Sequence, residues 1–222
     1  MAGTLYCIST GPGDGELLTL RAMHILKRCQ IIAAPKVPGR KVHALSIVGS
    51  AVDLRDKPIL CMEFPMGHCN EAYDSAAEAL CRALLSGDMA LLCLGDASLY
   101  ASASHLYSRV KRRGFKVEIV PGVTSFCAMA AVSGTPLAMG DMPLEILPYG
   151  CQDFADRLRL PGAKVIMKAG GHMTELCDLL EELGLLDKAY AAENVGMADE
   201  RFYPDIRHIG SCGYFTTVYI SG

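Results

Sequence analysis

The amino-acid sequence predicts an α/β protein, with a mainly parallel N-terminal sheet followed by a smaller α+β half built on a mixed sheet. Three observations carry that expectation. Up to Pro121, short apolar runs alternate with stretches of helical period, which is the pattern of consecutive βα units. Met89–Leu94 is apolar without interruption, as a parallel strand covered on both faces should be. After Pro121 the alternation lapses, and the region from Ala189 to Ile220 is strand-rich. The expected domains are therefore 1–120, α/β, and 121–222, α+β.

In chain order, Thr4–Thr10 reads as the first strand, and Asp14 can cap a helix running from about Glu16 to Arg28. Gln30–Ala34 is a short buried strand closed by Pro35. A weaker helix over Val42–Val48 and a strand at Pro58–Glu63 follow. Asn70–Ser86 is helical, with Ala76, Ala77, Leu80, Cys81, Leu84 and Leu85 on one face and Gly87 as the stop. After the strand at Met89–Leu94, a helical period of Leu99, Ala103, Leu106 and Val110 runs up to Gly114. Lys116–Val120 is the next strand, ended by Pro121-Gly122. A helix over Thr124–Val132 then leads to Pro136. Short strands at Glu145–Leu147 and Lys164–Lys168 precede a helix at Met173–Leu183, stopped by Gly184. Thr216–Ile220 is a β-branched final strand.

The chain has 222 residues, 51% hydrophobic and 20% charged, the balance of a globular protein with a real core. A net charge of −3 gives no global basic field for nucleic acid. The local cluster Lys111, Arg112 and Arg113 reads as favourable charge at a helix C-terminus. The apolar runs are too short for a membrane helix, and the N-terminus lacks a signal-peptide pattern, so a cytoplasmic location is expected. Ten cysteines occur without a single CxxC, which argues against zinc and against any other metal site. They read instead as small core hydrophobes in a reducing compartment. His68-Cys69 is the one adjacent pair of soft ligands, too few for a site.

Ligands of open α/β sheets bind beyond the carboxyl ends of the strands. Three turns rich in glycine, proline and aspartate fall at such ends: Thr10-Gly11-Pro12-Gly13-Asp14, Gly95-Asp96-Ala97-Ser98 and Pro121-Gly122-Val123-Thr124-Ser125. Glycine allows positive φ and a close approach of backbone to ligand, and proline fixes the turn. Neither GxxxxGK[ST] nor GxGxxG is present, which disfavours nucleoside triphosphates and NAD. Asp14 and Asp96 at this edge favour a cationic ligand over a polyphosphate.

These segments resemble a known family. STGPGDGELLTLRAMHILKRCQIIAAPK, within Leu5–Lys36, is similar to the opening motif of the tetrapyrrole methyltransferases. LCLGDASLYASASHLYSRVKRRGFKVEIVPGVT at Leu92–Thr124 resembles their second and third motifs in order and spacing. VIMKAG at Val165–Gly170, AENVG at Ala192–Gly196 and YFTTVYI at Tyr214–Ile220 resemble their C-terminal half. The chain departs from the pattern twice, with Ser9 in place of the usual glycine of GxGPGD and Ala97 in place of the usual proline after Gly-Asp. EFPM at Glu63–Met66, GDASLY at Gly95–Tyr100 and VPGVTSFCAMAA at Val120–Ala131 resemble the branch acting on C-20 of precorrin-2 or cobalt-factor II.

The resemblance implies a two-domain tetrapyrrole methylase fold with a ligand cleft between the domains, a homodimer, and S-adenosylmethionine as methyl donor, with S-adenosylhomocysteine as product. It implies donor contacts at Pro12, Gly95, Asp96, Ser98, Ala101, Ser102, Thr124, Ser125, Met167, Lys168, Asn194, Val195 and Gly196. Asp14 is the candidate for a polar or basic role near the macrocycle, with helix capping as its alternative. Arg21, Lys36, Arg40 and Lys168 are candidates for the substrate carboxylates, with solvated surface charge as theirs. Other readings are a methyltransferase of the same fold acting on another corrin carbon, diphthamide or ribosomal RNA, and a tetrapyrrole oxidoreductase or chelatase.

Overall fold

A computed structural model of the protein describes residues 2–39, 41–64 and 70–222. Its chain divides into two compact units, residues 1–124 and 125–222. The first unit contains β1 (Thr4–Ser9), α1 (Leu20–Arg28), β2 (Ile31–Lys36), α2 (His43–Ala51), β3 (Ile59–Glu63), α3 (Asn70–Leu84), β4 (Met89–Cys93), α4 (Ala103–Arg112) and β5 (Lys116–Val120). Its five strands lie in the order β3-β2-β4-β1-β5, all parallel. Side chains of β1 and β4 alternate between the two faces, as strand geometry requires. Leu5, Cys7, Met89, Leu91 and Cys93 pack with Ala77, Leu80, Leu84, Leu106 and Val110 of α3 and α4. Tyr6, Ile8, Ala90 and Leu92 pack with Ala22, Ile25, Leu26 and Val48 of α1 and α2. Each fully buried leucine contributes about 1.5–3 kcal/mol of transfer free energy, which explains the unbroken apolar run of β4.

The second unit contains α5 (Ser125–Ser133), β6 (Leu144–Pro148), α6 (Phe154–Arg159), β7 (Ala163–Met167), α7 (Met173–Glu182), β8 (Ala189–Glu193), β9 (Arg201–Tyr203) and β10 (Thr216–Ile220). Its sheet order is β6-β7-β10-β8-β9. Only β6 and β7 are parallel, so the sheet is mixed. One face packs Leu147, Ile166, Ala191, Val218 and Ile220 against Leu158, Leu176 and Leu180 of α6 and α7. At the α5 side, Ser125 Oγ lies 3.3 Å from Thr217 Oγ1, Ser133 Oγ lies 3.1 Å from the Tyr190 hydroxyl, and the Tyr190 and Tyr219 rings meet at 4.9 Å.

Several elements differ from the sequence reading. Asp14 caps only a 3-10 turn, Gly15–Leu17, through the Glu16 amide. The α-helix starts later because Thr19 supplies its own cap, accepting from the Ala22 amide at 3.2 Å. β2 continues through Pro35 to Lys36 instead of ending at Ala34. Its pairing with β4 stops at Ala33, so the strand is paired on one side only where the proline lacks a donor. α3 ends at Leu84, and a tight turn leaves Leu85 68% exposed, not on the buried face. α4 begins at Ala103, since Tyr100 adopts φ +49 and cannot lie in a right-handed helix. α6 has no counterpart in the sequence reading.

Cysteines follow the core expectation in part. Cys7, Cys29, Cys81 and Cys93 are buried, and burial pushes the Cys7 thiol up to about 12. Cys61 and Cys127 are exposed and are not core residues. Cys61 points outward from β3, the edge strand of its sheet. His68 and Cys69 lie outside the described residues, as do Pro65 and Met66 of the EFPM segment. A surprise of the second unit is Lys164, 2% exposed on β7. Its ammonium donates to the carbonyls of Leu160, Pro161 and Gly162 at 2.9, 3.4 and 2.9 Å, which offsets the cost of burying a charge.

Candidate functional site: strand-end turns of the two sheets

The three turns singled out from the sequence meet at the carboxyl end of the first sheet. Beyond β1 and β4, the Thr10 amide donates to the Cys93 carbonyl at 2.8 Å. Gly11 and Gly95 then exchange two backbone hydrogen bonds of 3.2 and 2.9 Å, an isolated antiparallel bridge between turns that follow parallel strands. Both glycines have positive φ, +74 and +72, which other residues adopt only under strain. Pro12, next to this bridge, is buried.

Asp96 joins the third turn to the other two. Its Oδ1 accepts from the Ser98 amide at 2.8 Å and from the Ser98 hydroxyl, and its Oδ2 accepts from the Gly122 amide at 2.8 Å. The Ser9 hydroxyl, at 3.4 Å, also points to Oδ2. Burial raises the pKa of this carboxyl, but the bonds from Ser98, Gly122 and Ser9 outweigh it, so Asp96 titrates below the usual range. Gly122 sits so close that an added Cβ would lie 2.5 Å from Ser9 Cβ. At Gly95, by contrast, an added Cβ would meet no atom within 4 Å. The turn therefore combines a fixed backbone with open space on the Gly95 side.

The other expected residues of this unit are less closely tied. Ala101 and Ser102 lend their carbonyls to the first turn of α4, accepting from Ser104 and His105. Asp14 is exposed and accepts from the Glu16 amide at 2.9 Å. Arg21 is engaged by Glu118, and Lys36, at the end of β2, pairs with Glu63 at 3.0 Å. Arg40 lies outside the described residues.

In the second unit, the carboxyl ends of β7 and β8 flank the start of β10. Met167 pairs with Thr217, and Glu193 pairs with Thr216. Ser125, the first residue of α5, reaches the same Thr217. Lys168 and Asn194, each the first residue after its strand, adopt φ +62 and +53. Such conformations cost about 1–3 kcal/mol and mark positions that the surroundings over-determine. The Asn194 side chain donates to Asp199 at 2.8 Å, and the Gly196 amide donates to Glu200 at 2.7 Å, while Val195 is buried. Thr124 closes the first unit and is half-buried.

Two residues that organise these edges, Glu193 and Thr217, had no individual role in the sequence reading. Glu193 is 7% exposed and accepts from the Gly213 amide and, at 3.3 Å, from the Tyr203 hydroxyl. An acidic residue closing the apolar run Ala189–Ala192 was the available signal for it. Ser9 and Ala97, the two departures from the family pattern, turn out to be partners of one hydrogen bond. Among the described residues no cluster of three or more histidine, cysteine or acidic side chains is poised for a metal. No helix among them is long and apolar enough to cross a membrane.

Comparison with known proteins gives a consistent picture. The family model described as tetrapyrrole (corrin/porphyrin) methylases matches residues 4–208. The cobalamin biosynthesis protein CobIJ of Mycobacterium bovis is 31% identical over 240 residues, covering 99% of this chain and 46% of its own length. The chain thus spans about half the length of that relative. The cobalt-precorrin-2 C(20)-methyltransferase of Salmonella typhimurium is 32% identical over 234 residues, covering 100% of this chain and 97% of its own. Uroporphyrin-III C-methyl transferase from Thermus thermophilus, solved in complex with S-adenosyl homocysteine, superposes with a TM-score of 0.73 at 21% identity, covering 99% and 97% of the two chains. That likeness is one of fold.

Proposed function

The chain belongs to the tetrapyrrole (corrin/porphyrin) methylases, and on that premise we propose that it methylates C-20 of precorrin-2 or cobalt-factor II in cobalamin biosynthesis. The observation that carries this reading is the full-length identity of 32% with a relative named for cobalt-precorrin-2 C(20) methylation. EFPM, GDASLY and VPGVTSFCAMAA support the same branch.

S-adenosylmethionine, the proposed donor, supplies a methyl group already activated on a sulfonium. The new bond forms between that methyl and C-20, the sulfur–methyl bond breaks with its electron pair going to sulfur, and the proton of C-20 is released. The leaving thioether is neutral and needs no acid. The protein's task is therefore alignment and exclusion of water. The residues fit such a donor: Gly95 leaves open space where a Cβ would project, and Asp96, anionic through its hydrogen bonds, suits a cationic ligand. Pro12, Ser98, Ala101, Ser102, Thr124 and Ser125 are proposed to complete the contacts, as are Met167, Lys168, Asn194, Val195 and Gly196. Asp14, exposed apart from its cap bond, is proposed to orient substrate or accept the released proton. Arg21, Lys36, Arg40 and Lys168 are proposed partners of substrate carboxylates. A cytoplasmic homodimer is proposed on family grounds.

The test incubates the purified protein and S-adenosylmethionine with precorrin-2 and, separately, with cobalt-factor II under anaerobic conditions. A single added methyl, located at C-20 by NMR, is expected with at least one of them. Methylation at another carbon, or of neither compound, overturns the assignment.

A further inference from the structure

Ser9 closes β1, and Ala97 is the second residue of a β-turn running from Asp96 to Leu99, closed by the Leu99 amide on the Asp96 carbonyl at 3.3 Å. Both residues are 0% exposed. The Ala97 amide donates to Ser9 Oγ at 2.8 Å, and that hydroxyl is itself directed at Asp96 Oδ2. One hydroxyl therefore satisfies a buried donor and loads the carboxylate that holds the Gly122 turn. We propose that Ser9 is a positioning residue for the donor-binding turn, and that residues 9 and 97 form a mutually exclusive pair. A hydroxyl at 9 requires an N–H at 97, and an imino acid at 97 requires the hydroxyl to be absent. The positioning role rests on the reading of the Gly95–Ser98 turn as a donor site.

The exclusion follows from geometry. Position 97 is the second place of its turn, where the fixed φ of proline is favoured. Backbone preference alone would therefore accept Ala97→Pro. Proline, however, puts Cδ about 1.5 Å from the nitrogen, where the amide hydrogen was. With Ser9 Oγ 2.8 Å from that nitrogen, Cδ and the oxygen would lie far inside their normal contact distance of over ~3 Å. The hydroxyl would have to swing away, dropping its bond toward Asp96.

Ser9→Gly causes the opposite fault. The Ala97 amide stays buried and loses its acceptor, and a buried donor left alone is costly. Removing donor and acceptor together avoids both faults, because paired removal of hydrogen-bonding partners can be nearly neutral. Each single change should therefore disturb the turn, and the two together should restore it. Independent sites would instead add.

The experiment measures S-adenosylhomocysteine affinity by calorimetry and melting temperature for the wild type, Ser9→Gly, Ala97→Pro and the double variant. Each single variant is expected to bind at least about tenfold more weakly, and the double variant to return to within about threefold of wild type. A merely structural role would lower the melting temperature of the singles and leave the affinity of the folded protein unchanged, which overturns the positioning role. A double variant as weak as the product of the two single losses overturns the exclusion. If the wild type binds no S-adenosylhomocysteine, the functional reading fails by itself, and melting temperature decides the pair. A double variant melting above both singles supports it, and one melting at or below the better single overturns it.

Discussion

The strand ends of the two units solve the same problem in different ways. In the first, Asp96 lies one residue beyond the bridge glycine after β4 and collects donors from the Gly122 turn and from the end of β1, 26 and 87 residues away in sequence. In the second, Glu193 closes β8 and collects the Gly213 amide and the Tyr203 hydroxyl, 20 and 10 residues away. Both are carboxylates at the carboxyl end of a strand paired on both sides, tying loops that parallel or mixed sheets leave unconnected. The glycines around them differ. A Cβ at Gly95 would enter open space, whereas a Cβ at Gly170 would lie 1.8 Å from the Gly213 carbonyl oxygen. The same residue type in a strand-end turn thus borders open space in one unit, and allows close backbone-to-backbone packing in the other.

The largest effect should come where packing leaves no alternative. Gly170→Ala forces the Gly213 backbone to move, and Gly213 is held by Glu193, with little slack. A destabilisation of about 3 kcal/mol or more is expected, lowering the melting temperature by roughly 6–12 °C. A variant that melts within about 2 °C of wild type would show that the 213 loop yields, and the contrast with Gly95 would collapse.

Asp96 should come next. Asp96→Ala leaves the Gly122 and Ser98 amides without their acceptor, but the site is partly open and water can replace some of the loss. About 2 kcal/mol is expected from denaturant unfolding. Its pH dependence has a definite sign. The folded pKa is depressed, so the stabilisation is complete above the unfolded value of about 3.9 and is lost as pH falls through the folded value. The stability gap between wild type and Asp96→Asn should be level from pH 6 to 8 and should shrink below about pH 4. A gap that instead widens toward acid would mean that the carboxylate is not held ionised by these bonds.

This contrast also shows what could be read in advance. The parallel half was legible because burial on two faces leaves an unmistakable apolar run at Met89–Cys93, and because glycine at positive φ marks the turns at Gly11 and Gly95. Helix starts were not. Asp14 and Thr19 are both good caps, and only the structure shows that Thr19 holds the Ala22 amide while Asp14 holds a separate short turn. Lys164 opens an expected strand, but nothing local reveals that three carbonyls just before it turn back toward its ammonium. The Ser9–Ala97 bond spans 88 residues, and no spacing rule connects such a pair. Nor does a sequence distinguish Gly95 from Gly170, because what surrounds a glycine is a property of the fold.

The smallest effect on stability, and the sharpest test of the comparison, should come from Gly95. Gly95→Ala meets no neighbouring atom, so its cost is limited to placing a side chain at φ +72, about 1 kcal/mol. The melting temperature should therefore fall by only about 2–4 °C. The open space is proposed to be the donor's, so affinity should fall much further than stability. A loss of S-adenosylhomocysteine affinity of at least about tenfold is expected, equivalent to roughly 1.4 kcal/mol. Gly95→Val should lose more, because a β-branched side chain tolerates positive φ poorly and fills more of the same space. Calorimetry and thermal melting on the same preparations separate strain from occlusion. Strain alone lowers the melting temperature in both variants and leaves the folded protein's affinity intact. Occlusion lowers affinity in the order glycine, alanine, valine with the fold preserved. A folded Gly95→Val protein with wild-type affinity would move the donor away from this turn and leave Gly95 with a conformational role only.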